Sequence, residues 1–352
     1  MQISRGPKHV FIENIGPNLA LLKRRLPDPN LHFKVFYLGS RSRTKVVLVY
    51  LSDLANPGIV SEVGDRLADI RAEIIPDASY IERNIQDSTL SHFPQIEKTT
   101  RPDVVESALV QGRVGIFTDG SPDVLLAPTT LFDLLDTPDD AYRRWFVASS
   151  FFRLARIAML GIATFLPALY IALTSYLPEL IPDKLAFLIS AYTESVPLPV
   201  YLEAFIMMGI AEAIRMVMLR MPNNMGQTVA MFTGLTLVIA GLYANIISAP
   251  VVIIVTLTVL SSMVIPDFDL RSSIRMIQFF SMLLATFLGI FGLVFSFFYI
   301  TIHLVVLKSF GIPYLAPVAP TEGSGLGHTV LRQDSKDMPG DETYKPVPDT
   351  RK

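Results

Sequence analysis

The sequence contains no cysteine, and this absence excludes a disulfide framework, a thiol nucleophile and any cysteine-based zinc or iron–sulfur site. It also lacks an excess of either charge, because 30 lysines and arginines stand against 32 aspartates and glutamates. Without a basic stripe there is no counterion release to drive nucleic-acid binding, so we expect no nucleic-acid partner. Histidine is scarce, and His9, His32 and His92 are not spaced with carboxylates as metal ligands are. We therefore expect no metal, no cofactor and no enzyme site.

Charge is also scarce in the middle of the chain. Hydrophobic residues make up 51% of the sequence and charged residues 18%, and most of the charge lies before residue 145 or after residue 307. This contrast predicts a mixed α/β soluble domain over residues 1–145 and an all-α polytopic membrane domain over residues 146–318. After Pro317 the chain turns polar and rich in Gly and Pro, so residues 319–352 are predicted to be a disordered tail.

The soluble part has the patterns of both strands and helices. Phe33–Leu38 and Lys45–Leu51 are β-branched and aromatic runs on either side of a polar turn, which predicts paired strands. Pro57 then opens a helical pattern. Together with the apolar pair Ile74-Ile75, these elements predict one βαβ unit.

Two more elements are predicted further along the soluble part. Asp103 is the expected cap of a helix over Val104–Val110. The runs Arg113–Thr118 and Val124–Leu126 flank Asp119-Gly120-Ser121-Pro122, which is typical of a hairpin turn and favours that interpretation over a catalytic loop. A regulatory or assembly role is therefore expected for this domain.

Four segments are long and apolar enough to cross a bilayer as helices. They are Ile157–Tyr176, Gly226–Ile247, Ala249–Ile265 and Ile277–Leu307. The last has about thirty residues, so it must tilt, kink or project beyond the bilayer.

A fifth candidate span, Pro199–Leu219, carries Glu203, Glu212 and Arg215. A charge at the middle of a bilayer costs roughly 2.5–3.5 kcal/mol on the insertion scale, so such residues persist where they face protein, water or each other. These three are our candidates for an ion path or its gating. The alternative is structural, with Glu212 and Arg215 as a pair on one helix face and Glu203 reaching to the interface.

Pro197 and Pro199 precede this polar helix and cannot belong to regular helix, which makes them hinge or re-entrant candidates or part of an ordinary loop. If the polar helix spans, the arginine-bearing segments all fall on one side, and this positive-inside pattern favours five spans. If the helix lies in the interface, there are four. The first residues lack the apolar core of a signal peptide, so the soluble domain is expected in the cytosol.

Short motifs run along nearly the whole chain in a fixed order. They are Arg5-Gly6-Pro7 with Phe11 and Glu13-Asn14, Asn18 with Leu22-Lys23-Arg24-Arg25-Leu26, Thr44-Lys45-Val46 with Asn56-Pro57, Ser79-Tyr80-Ile81-Glu82, Phe93-Pro94-Gln95, Gly112-Arg113-Val114, Asp119-Gly120-Ser121-Pro122, Ala127-Pro128-Thr129-Thr130 with Trp145, Leu166-Pro167-Ala168-Leu169-Tyr170, Gly226-Gln227-Thr228-Val229 and Gly311-Ile312-Pro313-Tyr314-Leu315.

In this order and spacing the sequence resembles the A-subunit family of bacterial spore germinant receptors, the GerA family, which includes SpoVAF-like paralogues. The resemblance implies a multi-pass protein of the spore inner membrane that works with B-type and C-type receptor subunits. It also implies that the B subunit holds the nutrient germinant, and that the A subunit is a homo-oligomer in membrane lipid that forms or gates a monovalent cation path. Family members carry a further soluble region ahead of the Arg-Gly-Pro motif, so an N-terminally shortened domain is expected here.

Other functions stay open at this point. A secondary transporter would need an inverted repeat with two broken helices at matching positions, and the sequence offers only the Pro197–Pro199 interruption. A SpoVAF-like accessory channel or signalling subunit would act without a direct germinant response. A membrane-anchored enzyme would need a clustered acid–base or metal set, which the sequence does not offer.

Overall fold

A computed structural model of the chain describes residues 9–137, 146–220, 223–319 and Tyr344. The Arg5-Gly6-Pro7 motif, residues 143–145 and nearly all of the predicted tail lie outside the described residues. The chain forms two compact units. The first contains Met1–Leu154 together with Ile302–Lys352, and the second contains Ala155–Thr301.

The first unit is built on a five-stranded antiparallel sheet with the strand order β1-β2-β4-β5-β3. Its strands are β1 (Leu31–Leu38), β2 (Thr44–Leu51), β3 (Glu97–Thr99), β4 (Val114–Thr118) and β5 (Val124–Ala127). Its helices are α1 (Ile15–Arg25), α2 (Pro57–Ala68), α3 (Ala78–Ile85), α4 (Pro102–Val110) and α5 (Leu131–Leu135).

Strand β2 shows why helices cover both faces of this sheet. Successive side chains of a strand point to opposite faces. Val46 and Leu48 pack into the hydrophobic cluster that includes α2 and α3, whereas Val47 and Val49 pack into the cluster that includes α1 and α4. All four are fully buried, and burying such a side chain contributes about 1.5–3 kcal/mol. The two-sided apolar run therefore fixes β2 inside the domain.

The structure confirms the predicted strand pair and the helix that Pro57 opens, where Asn56 caps the first turn through a 2.9 Å bond from the N–H of Gly58 to Oδ1. The predicted βαβ unit is wrong. Helix α2 leads to another helix, and neither Ile74 nor Ile75 lies in a strand. Ile75 lies in a loop and is buried against the sheet, whereas Ile74 is 59% exposed. Two adjacent apolar residues were therefore not sufficient evidence for a strand.

The two later elements are confirmed with one correction. Residues Val114–Thr118 and Val124–Ala127 form the predicted hairpin, with Gly120 at a φ of 83°. Asp103 does not cap helix α4. Arg101 occupies the capping position because Pro102 starts the helix earlier, and Asp103 binds the Arg101 guanidinium at 2.7 Å.

The C-terminal segment also belongs to the first unit, although the sequence placed residues up to 318 in the membrane domain. It forms two short strands, β6 (Lys308–Ser309) and β7 (Ile312–Pro313). The Ser309 hydroxyl donates to the Gln95 carbonyl at 2.7 Å and accepts from the Thr129 N–H at 3.1 Å. Phe310 is 3% exposed and packs into the same core as α2 and α3. The N-terminal domain is therefore completed by residues that follow the apolar helices.

The second unit is helical. Its elements, some of which extend into the first unit, are α6 (Phe146–Tyr176), a 3₁₀ turn (Pro178–Leu180), α7 (Asp183–Thr193), α8 (Val200–Arg220), α9 (Asn223–Tyr243), α10 (Ala249–Val264), α11 (Phe268–Leu288) and α12 (Ile290–Val306). Among the described residues, one helix is long and apolar enough to cross a membrane, over Ser150–Tyr176. Three shorter apolar helices cover Thr228–Tyr243, Ala249–Val264 and Ile290–Val306.

A break at Gly289 replaces the single span predicted over Ile277–Leu307. Gly289 ends α11 with a φ of 59°, a left-handed conformation that suits glycine, and α12 begins at the next residue. The rings of Phe280 and Tyr299 lie 5.8 Å apart, at nearly equal distances in sequence before and after the break. Helices α11 and α12 therefore form an antiparallel hairpin, so the prediction of a single tilted, kinked or projecting span is wrong.

The directions of the other helices follow from contacts within the second unit. Glu203 at the start of α8 binds Ser248 just before α10, so these two helices run in parallel. Glu212, late in α8, lies 3.5 Å from Arg275, early in α11, so α11 runs the opposite way. We call the end of the unit where α8 finishes and α11 begins the arginine end.

Both chain connections of the helical unit lie at this arginine end. Tyr176, the last residue of α6, donates its hydroxyl hydrogen to the carbonyl of Thr286, near the end of α11, so α6 finishes at the opposite end. Helix α6 therefore starts at the arginine end. Because α12 runs back along α11, it finishes there too.

Candidate functional site in the helical unit

Glu203 is a buried carboxylate that caps the N-terminus of a neighbouring helix. It lies in the first turn of α8 and is 1% exposed. Its Oε2 accepts hydrogen bonds from the N–H of Ser248 at 2.8 Å and from the Ser248 hydroxyl at 2.7 Å. Ser248 directly precedes α10, whose N-terminal dipole favours a negative charge. Glu203 is therefore held inside the helical unit by its bonds to Ser248.

The other oxygen of Glu203, Oε1, does not take part in the bonds to Ser248. Within the described part of the chain, neither Oε1 of Glu203 nor the hydroxyl of Tyr170 has a hydrogen-bond partner, and both atoms are buried. The two side chains are close enough for the Glu203 carboxylate to act on Tyr170 electrostatically. Around them Met207, Val251 and Met282 belong to the apolar core of the unit. A buried acceptor without a partner costs about 1–3 kcal/mol, more for a charged group, so a cation or a hydrogen-bond donor beside this oxygen would be favourable.

Glu212 and Arg215 form the pair that the structural alternative predicted. Nη1 of Arg215 lies 2.6 Å from Oε2 of Glu212, one turn earlier on the same helix. Nε of Arg275 lies 3.5 Å from the other oxygen of Glu212. Glu212 is thus neutralised by two guanidinium groups, whereas Glu203 faces no cationic side chain in these contacts.

Pro197 and Pro199 lie in the segment between α7 and α8. The carbonyl of Pro199 accepts from the N–H groups of Leu202 at 2.9 Å and Glu203 at 3.1 Å, so Pro199 begins the polar helix. Helix α7 has no buried residue. The two prolines therefore join an exposed short helix to the helix that carries Glu203, and their hinge role stays a prediction.

The sequence-predicted candidates do not form one site. Glu203 and Glu212 are nine positions apart, about 14 Å along the helix axis at 1.5 Å per residue. Each has its own partners, at opposite ends of the unit. Across the described ranges, no group of three or more His, Asp and Glu side chains is arranged to hold a metal ion.

Sequence reasoning paired Glu212 with Arg215 but missed Arg275, and it missed Ser248 and Tyr170 beside Glu203. Ser248 could have been found, because a serine followed by Pro250 at the start of an apolar run is a helix-start signal. Tyr170 had no such signal, because an aromatic residue in an apolar helix is usually only packing. Arg275 was noted for membrane orientation but not as a partner of Glu212.

Comparison with known proteins gives a family match over most of the chain. Residues 2–342 match the family described as Bacillus/Clostridium GerA spore germination protein. Spore germination protein B1 of Bacillus subtilis (strain 168) is 39% identical over 94% of this chain and 68% of its own length. The uncharacterized membrane protein YfkQ of the same organism is 39% identical over 90% of this chain and 61% of its own length. The chain thus spans about two thirds of the length of these relatives.

One solved structure also matches part of the chain. It is the crystal structure of the N-terminal domain of the A subunit of the Bacillus megaterium spore germinant receptor GerK3, which is 38% identical. The match covers 34% of this chain and 95% of that one, with a TM-score of 0.29.

Proposed function

This chain belongs to the GerA family of spore germination proteins, and we propose that it is the membrane-embedded A-type subunit of a nutrient-germinant receptor. In this role it forms or gates a path for monovalent cations. The observation that carries the proposal is the carboxylate of Glu203, which is buried inside the helical unit with one oxygen that has no hydrogen-bond partner among the described residues.

The proposed topology has six membrane crossings, by α6, α8, α9, α10, α11 and α12. Its support is the alternation of helix directions between the arginine end and the opposite end. The break at Gly289 adds one crossing to the five that the sequence favoured, and it returns the chain to the arginine end. Helices α10 and α12 have 16 and 17 residues and are therefore about 25 Å long. Such short helices need a locally thinned bilayer, or flanking side chains that extend to the membrane interface.

Charge supports a cytosolic arginine end. Arg215, Arg271 and Arg275 lie there, while the connection between α9 and α10 at the opposite end carries no charge. Positive residues favour the cytosolic side of membrane helices. The residues before α6 and after α12 then share the cytosol, which agrees with their common membership of the first unit.

The cation path is proposed to pass Glu203. Its free oxygen and the hydroxyl of Tyr170 are ligands suited to a monovalent cation or a proton, and the opposite end of α8 is already occupied by ion pairs. In the described state both groups are closed off from solvent. Opening therefore requires a helix movement, and the Pro197–Pro199 segment before α8 is the proposed hinge.

The proposed partners are B-type and C-type receptor subunits, with further copies of this chain around the path. Exposed apolar side chains on α9, such as Met231, Phe232 and Leu235, offer surface for lipid or for a second copy. A secondary transporter is less well supported. Its two broken helices should each continue across the membrane, whereas the break at Gly289 reverses the chain.

The experiment is a germination assay with the whole receptor. The chain is expressed with its B-type and C-type partners in Bacillus subtilis spores that lack their own receptors, and potassium release is recorded after nutrients are added. We expect release that depends on this chain and is reduced by Glu203→Gln. A receptor that germinates spores equally well without this chain would contradict the proposed function.

A further inference from the structure

Three arginines gather at the arginine end of the second unit. Arg215 comes from α8, and Arg271 and Arg275 come from the first turns of α11. Arg215 and Arg275 share the carboxylate of Glu212, at 2.6 and 3.5 Å. Arg271 is held by the carbonyl of Ile265, which accepts from its Nη2 at 2.6 Å. We call these three residues the arginine cluster.

The three guanidinium groups of the cluster repel one another. Arg215 is acted on by Glu212 and, repulsively, by both Arg275 and Arg271. Arg271 is in turn acted on by Arg275 and Asp267. Repulsion between like charges that are partly out of water is costly, so a further anion would stabilise this arrangement.

Two N–H groups of the cluster also lack acceptors. Nε of Arg271 and Nη1 of Arg275 are buried and have no hydrogen-bond partner among the residues that the structure describes. The side chains of Arg215 and Arg275 nevertheless keep 15% and 12% of their surface exposed. A ligand can therefore approach the cluster from outside.

We propose that the arginine cluster binds a phosphate group. A phosphate is an anion that would reduce this repulsion, and its oxygens match the fork of N–H donors on guanidinium groups. Arg271 and Arg275 are its direct ligands. Arg215 contributes indirectly, because it neutralises Glu212, which would otherwise repel the phosphate. Bound phosphate would stabilise the first turns of α11.

The phosphate can come from a phospholipid headgroup or from a soluble phosphate compound. Basic clusters between membrane helices on the cytosolic side bind anionic headgroups, and each arginine contributes about a fivefold gain in affinity. The lipid source rests on the proposed membrane topology, whereas phosphate binding itself does not. An assay in detergent therefore separates failure of this inference from failure of the proposed function.

The test uses the full chain purified in detergent. In one arm, native mass spectrometry measures retention of phosphatidylglycerol against phosphatidylcholine. In the other, inorganic phosphate is titrated while thermal unfolding is followed. The variant is R271Q with R275Q, and the matched control is R220Q, because Arg220 is an exposed arginine on the same helix as Arg215.

We expect wild type to prefer phosphatidylglycerol, or to be stabilised by phosphate, and the double variant to bind at least about tenfold more weakly. The R220Q control should bind like wild type. Preference for the lipid alone assigns a headgroup, and stabilisation by phosphate alone assigns a soluble ligand. Wild type that shows neither effect overturns the proposal without any need for the variant to fold, as does full binding by a folded double variant.

Discussion

Glu203 on helix α8 and Ser248 at the start of helix α10 are joined by two hydrogen bonds to one carboxylate oxygen, at 2.8 and 2.7 Å, across 45 positions of sequence. The carboxylate does for α10 what a capping side chain normally does from within the helix. The same contact leaves the second oxygen of Glu203 available. One side chain thus has an oxygen in a structural bond and an oxygen without a hydrogen-bond partner among the described residues.

The first prediction concerns this bond. Replacing Ser248 by alanine removes the hydroxyl donor to a buried charged group, so the helical unit should lose about 1.5–3 kcal/mol of stability. The measurement is the temperature at which detergent-solubilised protein loses its monodisperse peak in size-exclusion chromatography. The control is S190A on the exposed helix α7. Equal melting of both variants would show that the Glu203–Ser248 contact contributes nothing.

The second prediction concerns the hairpin at Gly289. A Cβ at this position would lie 2.8 Å from Cγ of Tyr176, and the left-handed backbone adds about 1–2 kcal/mol for any residue with a Cβ. The variant G289A should therefore melt at a lower temperature than wild type.

The matched control for the hairpin is G161A in the middle of α6, where a Cβ would meet nothing within 4 Å. Alanine is the better helix former by about 1 kcal/mol, so this variant should be as stable as wild type or more stable. If G289A melts like G161A, the chain does not depend on a reversal at Gly289.

The third prediction concerns the return of the chain to the first unit. Phe310 is buried among the residues of α2 and α3, so F310A should cost about 3–5 kcal/mol. Amide hydrogen exchange of the interior strand β2 should become faster. The control is V306A, because Val306 is 70% exposed. Unchanged exchange in F310A would mean that the C-terminal segment is not needed for the sheet.

Much of the architecture follows from local pattern. The two-sided apolar run of β2 and the Asn56-Pro57 helix start were predictable because strands and helix caps depend on neighbouring residues. The strand order was not, because pairing of β3 with β5 joins segments that no local pattern connects. Ile75 was wrongly assigned to a strand for a related reason. An isoleucine has the same hydropathy in a buried loop as in a strand, so hydropathy alone cannot distinguish the two.

The candidate site divides in the same way. Glu203 and Glu212 stood out because charges are rare in apolar helices. The sequence could not show which glutamate is neutralised by arginines and which binds a helix start. Glu212 contacts Arg275, and Glu203 contacts Ser248, only after α8, α10 and α11 have packed. The turn at Gly289 was hidden because apolar residues continue on both sides of it.

The most direct test of the proposed cation path is conductance in planar bilayers. The chain, reconstituted with the proposed B-type and C-type partners, is recorded as wild type, E203Q and E212Q. We predict monovalent cation conductance that falls about tenfold in E203Q, a factor that corresponds to about 1.4 kcal/mol. E212Q should change it much less, because Arg215 and Arg275 already neutralise Glu212. A silent wild type, or an E203Q protein that conducts like wild type, would contradict the account.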